Sequence, residues 1–270
     1  MTMNNTVKKT LSLLVFILIA LQAGTHEFWL EPDHFQLKPA QQLKLRFNVG
    51  ENFTGDDWTG NRQLVDRLKV YFHDLDDDLE DLISDSTGDS LNLQFYLPGT
   101  VLIAFQSKNK HIELPADKFN QYLKEDGLDS AAAIRRSNGE TDSTAREHYQ
   151  RSVKTLLQVG DHKTDNYRKR TSLPLDIVPL NHPYHIKKAA DLRLKVYFHD
   201  QPLPNHLVKI WQRVNGKVTS QDWRTDANGE VVFPVHPIGQ WMASLVQMER
   251  AAPTDSVQWQ SYWGSLTWGY

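Results

Sequence analysis

Polar and apolar residues alternate with a period of two in short runs in both halves of this chain. Gln42-Leu43-Lys44-Leu45-Arg46-Phe47, Lys69-Val70-Tyr71-Phe72-His73 and Leu91-Asn92-Leu93-Gln94-Phe95-Tyr96-Leu97 carry the pattern in the first half. Leu192-Arg193-Leu194-Lys195-Val196-Tyr197-Phe198 and His206-Leu207-Val208-Lys209-Ile210-Trp211 carry it in the second. Successive side chains of a strand point to opposite faces, so this period marks strands with one face buried. Between the runs lie turn-forming clusters such as Pro98-Gly99 and Asp226-Ala227-Asn228-Gly229. The pattern predicts a mainly β protein of two β-sandwich domains, immunoglobulin- or transthyretin-like, over residues 26–115 and 173–270. A unit of roughly 100 residues suits that architecture.

The middle of the chain changes period. Phe119, Tyr122 and Leu123 share one face of a predicted helix that Gly127 ends. Ser143-Thr144 then reads as the start of a second helix over 144–158, with Tyr149, Val153, Leu156 and Leu157 as its apolar stripe. On that wheel Arg151 and Lys154 point away from the stripe, and Glu147 pairs with Arg151 at i,i+4. Residues 116–172 are therefore expected to form a helical connector with an exposed loop. Arg146, Arg151 and Lys154 would give it a solvated charged face, or a basic surface for docking an acidic partner or tethering the two sandwiches.

The N-terminus reads as an export signal. Lys8 and Lys9 precede an apolar run from Leu11 to Leu21, and Ala23-Gly24-Thr25 supplies small residues for cleavage. The run is shorter than the roughly 20 residues a membrane helix needs. Residues 1–25 are thus expected to be a signal peptide, a cut after Ala23 fitting best, and the mature protein to be periplasmic. That segment holds two lysines and no acid, so the 30 basic and 33 acidic residues become 28 against 33, a formal charge of −5. Mild acidity argues against a nucleic-acid partner, which needs clustered Lys and Arg. Cysteine is absent, which excludes disulfides, a thiolate nucleophile and a zinc–thiolate site.

A histidine near a new α-amine is a metal chelator, and His26 is so placed. A cut after Thr25 would give an amine–imidazole clamp. A cut after Ala23 would give Gly24-Thr25-His26, whose four nitrogens favour square-planar Cu(II) or Ni(II). The competing view has His26 merely opening the first strand, with Phe28 and Leu30 anchoring it and Glu27, Trp29 and Glu31 facing outward. His182 and His185 have ligand-like spacing but read as solvated loop; His73 and His199 read as exposed. The acidic tract Asp74–Asp81 lacks the glycine and spacing of a calcium loop and reads as a solvated turn. The aromatic tail Trp259, Tyr262, Trp263, Trp268 and Tyr270 reads as core, with a glycan-stacking platform as the alternative. Val70-Tyr71-Phe72-His73-Asp74 recurs as Val196-Tyr197-Phe198-His199-Asp200, which fits either a duplicated sandwich or coincidence.

Several motifs together resemble a known family. They are His26-Glu27-Phe28-Trp29-Leu30-Glu31-Pro32, Phe119-Asn120-Gln121-Tyr122-Leu123 with Glu125-Asp126-Gly127-Leu128, and Arg146-Glu147-His148-Tyr149-Gln150-Arg151 with Lys154-Thr155-Leu156. Asp176-Ile177-Val178-Pro179, Thr225-Asp226-Ala227-Asn228-Gly229 and Trp259-Gln260-Ser261-Tyr262-Trp263-Gly264-Ser265-Leu266-Thr267 complete the set. The chain resembles an exported domain-of-unknown-function family described as a periplasmic component of cobalt and nickel transport. Members often carry Ala directly before the histidine, where this chain has Thr25. The resemblance implies a non-enzymatic accessory protein that binds nickel or cobalt, with copper an alternative ion, through His26. Its expected partner is a membrane metal-transport system. Two other readings remain open: a metal-independent module recognising a protein or glycan, and an oxidative copper protein with an N-terminal histidine clamp. No Ser/His/Asp set, paired carboxylates or phosphate loop points to other catalysis.

Overall fold

The computed structural model describes residues 27–270; the leader, its cleavage site and His26 lie outside the described residues. In chain order the first half forms β1 (Glu27–Pro32), β2 (Gln36–Leu37), β3 (Gln42–Glu51), β4 (Thr54–Asp57), β5 (Val65–Phe72), β6 (Leu75–Asp78), β7 (Ser90–Gln94), β8 (Gly99–Ser107) and β9 (Lys110–Leu114). The middle forms α1 (Ala116–Glu125), α2 (Asp129–Ser137) and β10 (Ala145–Val159). Then follow β11 (Leu175–Pro179), β12 (Ala190–Phe198), β13 (Gln201–Pro202), β14 (Leu207–Val214), β15 (Lys217–Arg224), β16 (Glu230–Val235), β17 (Gln240–Arg250) and β18 (Trp259–Gly269). The protein is mainly β, as the alternation predicts. Among the described residues no helix is long and apolar enough to cross a membrane.

Three sheets stack into sandwiches. A ten-stranded sheet runs β15-β14-β17-β18-β10-β8-β5-β6, with β2 and β9 also on β10, and its β10–β18 contact is parallel. Four-stranded sheets cover it: one of β1, β3, β4 and β7, the other of β11, β12, β13 and β16. Alternate residues of β8 serve the two covers. Val101, Ile103 and Phe105 join the core under β3 with Phe47 and Leu45, while Leu102 and Ala104 join the core under β12 with Leu192 and Leu194. Both faces of β8 are therefore apolar, as expected of a strand buried on two sides.

β10 corrects the helical expectation over 144–158. Tyr149, Val153, Leu156 and Leu157 have helical spacing, yet the segment is a 15-residue strand whose residues 151–159 are all buried. Its even row is polar from Arg146 to Lys154, but Glu147 and Arg151 interrupt the apolar odd row and Leu156 the polar one, so polar and apolar faces do not separate cleanly in its sequence. The expected helical connector thus contributes a central strand of the large sheet. Its helical part is α1 and α2 alone. In α1, Phe119, Tyr122 and Leu123 turn inward as predicted. The helix closes with the Leu128 amide on the Leu123 carbonyl and Gly127 at φ +62°, a left-handed cap that glycine takes without strain.

β1 stands with an edge against the central sheet. Ser265 Oγ donates to the Phe28 carbonyl and Thr267 Oγ1 to the Leu30 carbonyl, each at 2.7 Å. Phe28 and Leu30 then enter the core beneath β8, while Trp29, fully buried, packs with Phe53, Trp211 and Met242. Glu31 pairs with Arg213 at 2.6 Å and accepts from Trp29 Nε1. The expectation that Glu27, Trp29 and Glu31 face outward is corrected: β1 is a wedge with partners on both sides.

The repeated pentapeptide ends two equivalent hairpins. Phe72 faces Leu75 across His73-Asp74, and Phe198 faces Gln201 across His199-Asp200. His73, His199 and Asp200 have positive φ. His199 is exposed as expected, whereas His73 is half-buried. The acidic tract is the exposed β6 hairpin strand, where Lys69 Nζ meets Asp76 at 2.9 Å and Asp78 at 3.4 Å.

Thr267→Val keeps the side-chain shape but leaves the buried Leu30 carbonyl without its donor. The expected loss is about 1–3 kcal/mol of stability in urea unfolding.

Candidate functional site

Strand geometry separates the three basic residues expected on one surface. Arg146 is exposed, Arg151 and Lys154 are buried, and Arg151 and Lys154 project to opposite faces of β10. The solvated charged face is corrected accordingly. Lys154 (1% exposed) enters the core under β11 and places Nζ 2.7 Å from Asp176 Oδ1 and 2.8 Å from the Ile177 carbonyl. Asp176, fully buried, also accepts from the Thr171 amide and from Arg170 Nε. Burial pulls the Lys154 ammonium down and Asp176 opposes it. This pair fastens β10 to the third sheet. Arg151 turns the other way, with its guanidinium 4.6 Å over the Phe28 ring and 5.5 Å from Tyr149.

The other charged groups gather between α1 and the start of β1. Glu27 lines a cleft of about 490 Å³ with Glu51, Gln121, Glu125, Lys209 and Asp222. A smaller cavity of about 20 Å³, enough for one water, lies beside it against Glu27, Phe28, Asp126, Lys209, Ser244 and Trp263. Lys209 Nζ binds Asp126 Oδ1 at 3.0 Å, while Asp126 Oδ2 is buried without a hydrogen bond. Burial raises the Glu27 carboxyl to about 7 and lifts Asp126 as well; Lys209 lowers both. Burial also works against the Lys209 charge, but Asp126 and Glu27 outweigh it and the net shift is upward.

Deeper under α1, Glu147 accepts from Ser261 Oγ and, at 3.4 Å, from the Tyr122 hydroxyl, while its Oε2 is buried without a partner. Burial raises it to about 7, against hydrogen bonds that lower it. The expected helical pairing of Glu147 with Arg151 is corrected, since Glu147 turns to Ser261 and Tyr122 instead, and the sequence did not mark any of these carboxylates as buried. Their signal was a family motif, Glu125-Asp126-Gly127-Leu128 or Arg146-Glu147-His148, that names residues without saying which are buried.

Among the described residues no group of three or more His, Asp or Glu is arranged to hold a metal ion. His182 is buried rather than solvated, which corrects that expectation. Its Nδ1 accepts from the Tyr184 amide, and its Nε2 lies 2.9 Å from Thr100 Oγ1, whose own proton goes to Gln158 Oε1. Both ring nitrogens are occupied, and burial first, then His185, brings its pKa to about 4. His185 is exposed. In the aromatic tail Trp259, Tyr262 and Trp268 are core residues, and Trp263 stacks on Tyr122.

Two stability changes follow from these buried charges. Lys154→Met strands the Asp176 carboxylate and is expected to cost about 3–5 kcal/mol in urea unfolding, with Lys154→Met/Asp176→Leu recovering much of it. For Glu147 the folded pKa of about 7 exceeds the reference 4.5, so between these values the native state binds more protons than the unfolded state. Its contribution therefore falls as pH rises through that window. Glu147→Gln should gain on the wild type by up to about 3 kcal/mol between pH 4.5 and 8, read as the difference between two unfolding curves at each pH.

No curated protein matches the chain. Among solved structures, one alignment covers 92% of this chain and 15% of a mutant Salmonella alpha-2-macroglobulin, with 10% identity and a TM-score of 0.22. A second covers 90% of this chain and 20% of dimeric latent PorU from Porphyromonas gingivalis, with 8% identity and a TM-score of 0.21. A third covers 92% of this chain and all of one chain in the structure of Dpr11 IG1 bound to DIP-gamma IG+IG2, with 10% identity and a TM-score of 0.18. Likeness at this level carries no argument about function. A family model, in contrast, matches residues 23–249, most of the chain, and this protein belongs to the family described as Domain of unknown function (DUF4198).

Proposed function

We propose that this is an exported, periplasmic accessory protein that binds Ni(II) or Co(II) and assists its uptake by a membrane transport system. His26, freed or nearly freed by signal cleavage, is the principal ligand. The observation that carries the reading is the position of Glu27. That residue, one peptide bond after His26, lines the carboxylate-rich cleft with Glu51, Glu125 and Asp222. Neighbouring Cα atoms are about 3.8 Å apart, so an ion held by the His26 imidazole and the new α-amine, whichever residue carries it, has oxygen ligands close by. β1, which follows His26, is held on both faces. Imidazole and amine nitrogens suit nickel, cobalt and copper, with copper intrinsically tighter, so preference for nickel or cobalt would rest on availability and geometry.

The test is a calorimetric titration of Ni(II) into natively processed, chelator-stripped protein. The expected result is a one-to-one isotherm with Kd on the order of micromolar or tighter. His26→Ala should weaken it at least about tenfold, with Glu27→Gln a smaller loss, since ligand changes outweigh those of outer groups. Heat no greater than dilution in the wild type would overturn the proposal and favour a metal-independent interaction module.

A further inference from the structure

Arg151 is only 8% exposed, yet its guanidinium makes no ion pair and no hydrogen bond among the described residues; its backbone amide donates to Ser107 Oγ. Residues 1–26 contain no Asp or Glu, so they supply no carboxylate either. Glu147, the nearest acid along the same row of β10, is turned to Ser261 and Tyr122. A buried charge without a counterion is costly. The Phe28 and Tyr149 rings offset part of that cost through cation–π contact, while the five N–H donors have no hydrogen-bond partner among the described residues.

A second cation lies beside it. Lys110 of β9 stands directly across from Tyr149, and its ammonium is pulled down by burial and by the Arg151 charge. Tyr149 and Lys110 are half-buried, so a small molecule can approach along them. On the far flank Trp263 is the β18 neighbour of Arg151. Strand register thus puts Arg151, Tyr149, Lys110 and Trp263 on one face of the sheet, with the Phe28 ring of β1 against the guanidinium.

We propose that Arg151, with Lys110, forms a binding site for a small molecule bearing a carboxylate. The planar fork matches two carboxylate oxygens in a bidentate contact, and the rings already hold the guanidinium in place, so little ordering remains to be done on binding. The aromatic walls suit the carbon skeleton of such a ligand. Two cationic groups match a carboxylate better than a fully ionised phosphate, which carries more charge and more acceptor oxygens. The proposal rests on Arg151 and Lys110 and needs no metal at His26.

The experiment uses the processed full-length protein, stripped of metal, with succinate as probe and sodium chloride at matched ionic strength as control. Thermal unfolding and calorimetry should show saturable, succinate-specific stabilisation. Arg151→Gln should weaken binding at least about tenfold, Arg151→Lys should retain part of it, and Arg193→Gln, at an exposed arginine, should leave it unchanged. If Arg151→Gln does not fold, Lys110→Gln serves in its place, with a severalfold loss expected. No succinate-specific effect in the wild type, or an undiminished effect in the Arg151 or Lys110 variant, overturns the proposal. Equal or stronger protection by inorganic phosphate overturns the carboxylate assignment. Because no metal is present, failure of nickel binding leaves these outcomes unchanged.

Discussion

The side-chain hydroxyls of Ser265 and Thr267, bonded to two carbonyls of β1, set the arrangement of the first half of this protein. An exposed strand edge is a row of unsatisfied acceptors and donors. Here those acceptors are satisfied from the face of another sheet, so β1 stands between two cores instead of capping one. Phe28 and Leu30 go to one side, Trp29 to the other, and Glu31 reaches Arg213. The residue that opens β1 therefore emerges at a fixed place, beside α1 and the acid-lined cleft.

The central sheet depends equally on β10. That strand is covered on both faces, and its two buried cations are treated differently. Lys154 has a carboxylate, a carbonyl and a second cation arranged around it, so its charge is spent within the fold. Arg151 has two aromatic rings and no acid. A saturated buried pair is what holds layers in register, while an unsaturated one is what a ligand completes. The contrast is the reason Lys154 reads as structural and Arg151 as a binding group.

Between α1 and β1 lies a region where polar groups are desolvated on both sides of the same strand. Glu27, Asp126 and Glu147 are all raised by burial, and Lys209 is the basic residue that pairs with Asp126. Perturbed carboxylates clustered beside a cleft are a common mark of functional sites, although structural networks produce them too. The position of His26 next to Glu27 gives this cluster its interest for metal binding.

Local pattern alone was enough for the β class, the inward face of α1, the Asn228-Gly229 turn with Gly229 at φ +74°, and the strand state of both Val-Tyr-Phe segments. Each depends on neighbours a few residues away, through side-chain alternation or backbone freedom. The strand state of 145–159 did not emerge this way, because Glu147 and Arg151 place charges in its apolar row and Tyr149, Val153, Leu156 and Leu157 happen to fall at helical spacing. The same holds for buried Trp29, Arg151, Lys154 and His182, whose environments are built by partners far along the chain: Trp211, Phe28, Asp176 and Thr100. Whether a charge on β10 meets solvent, a counterion or an aromatic face is settled by which sheets pack over it, and that packing has no short-range signature.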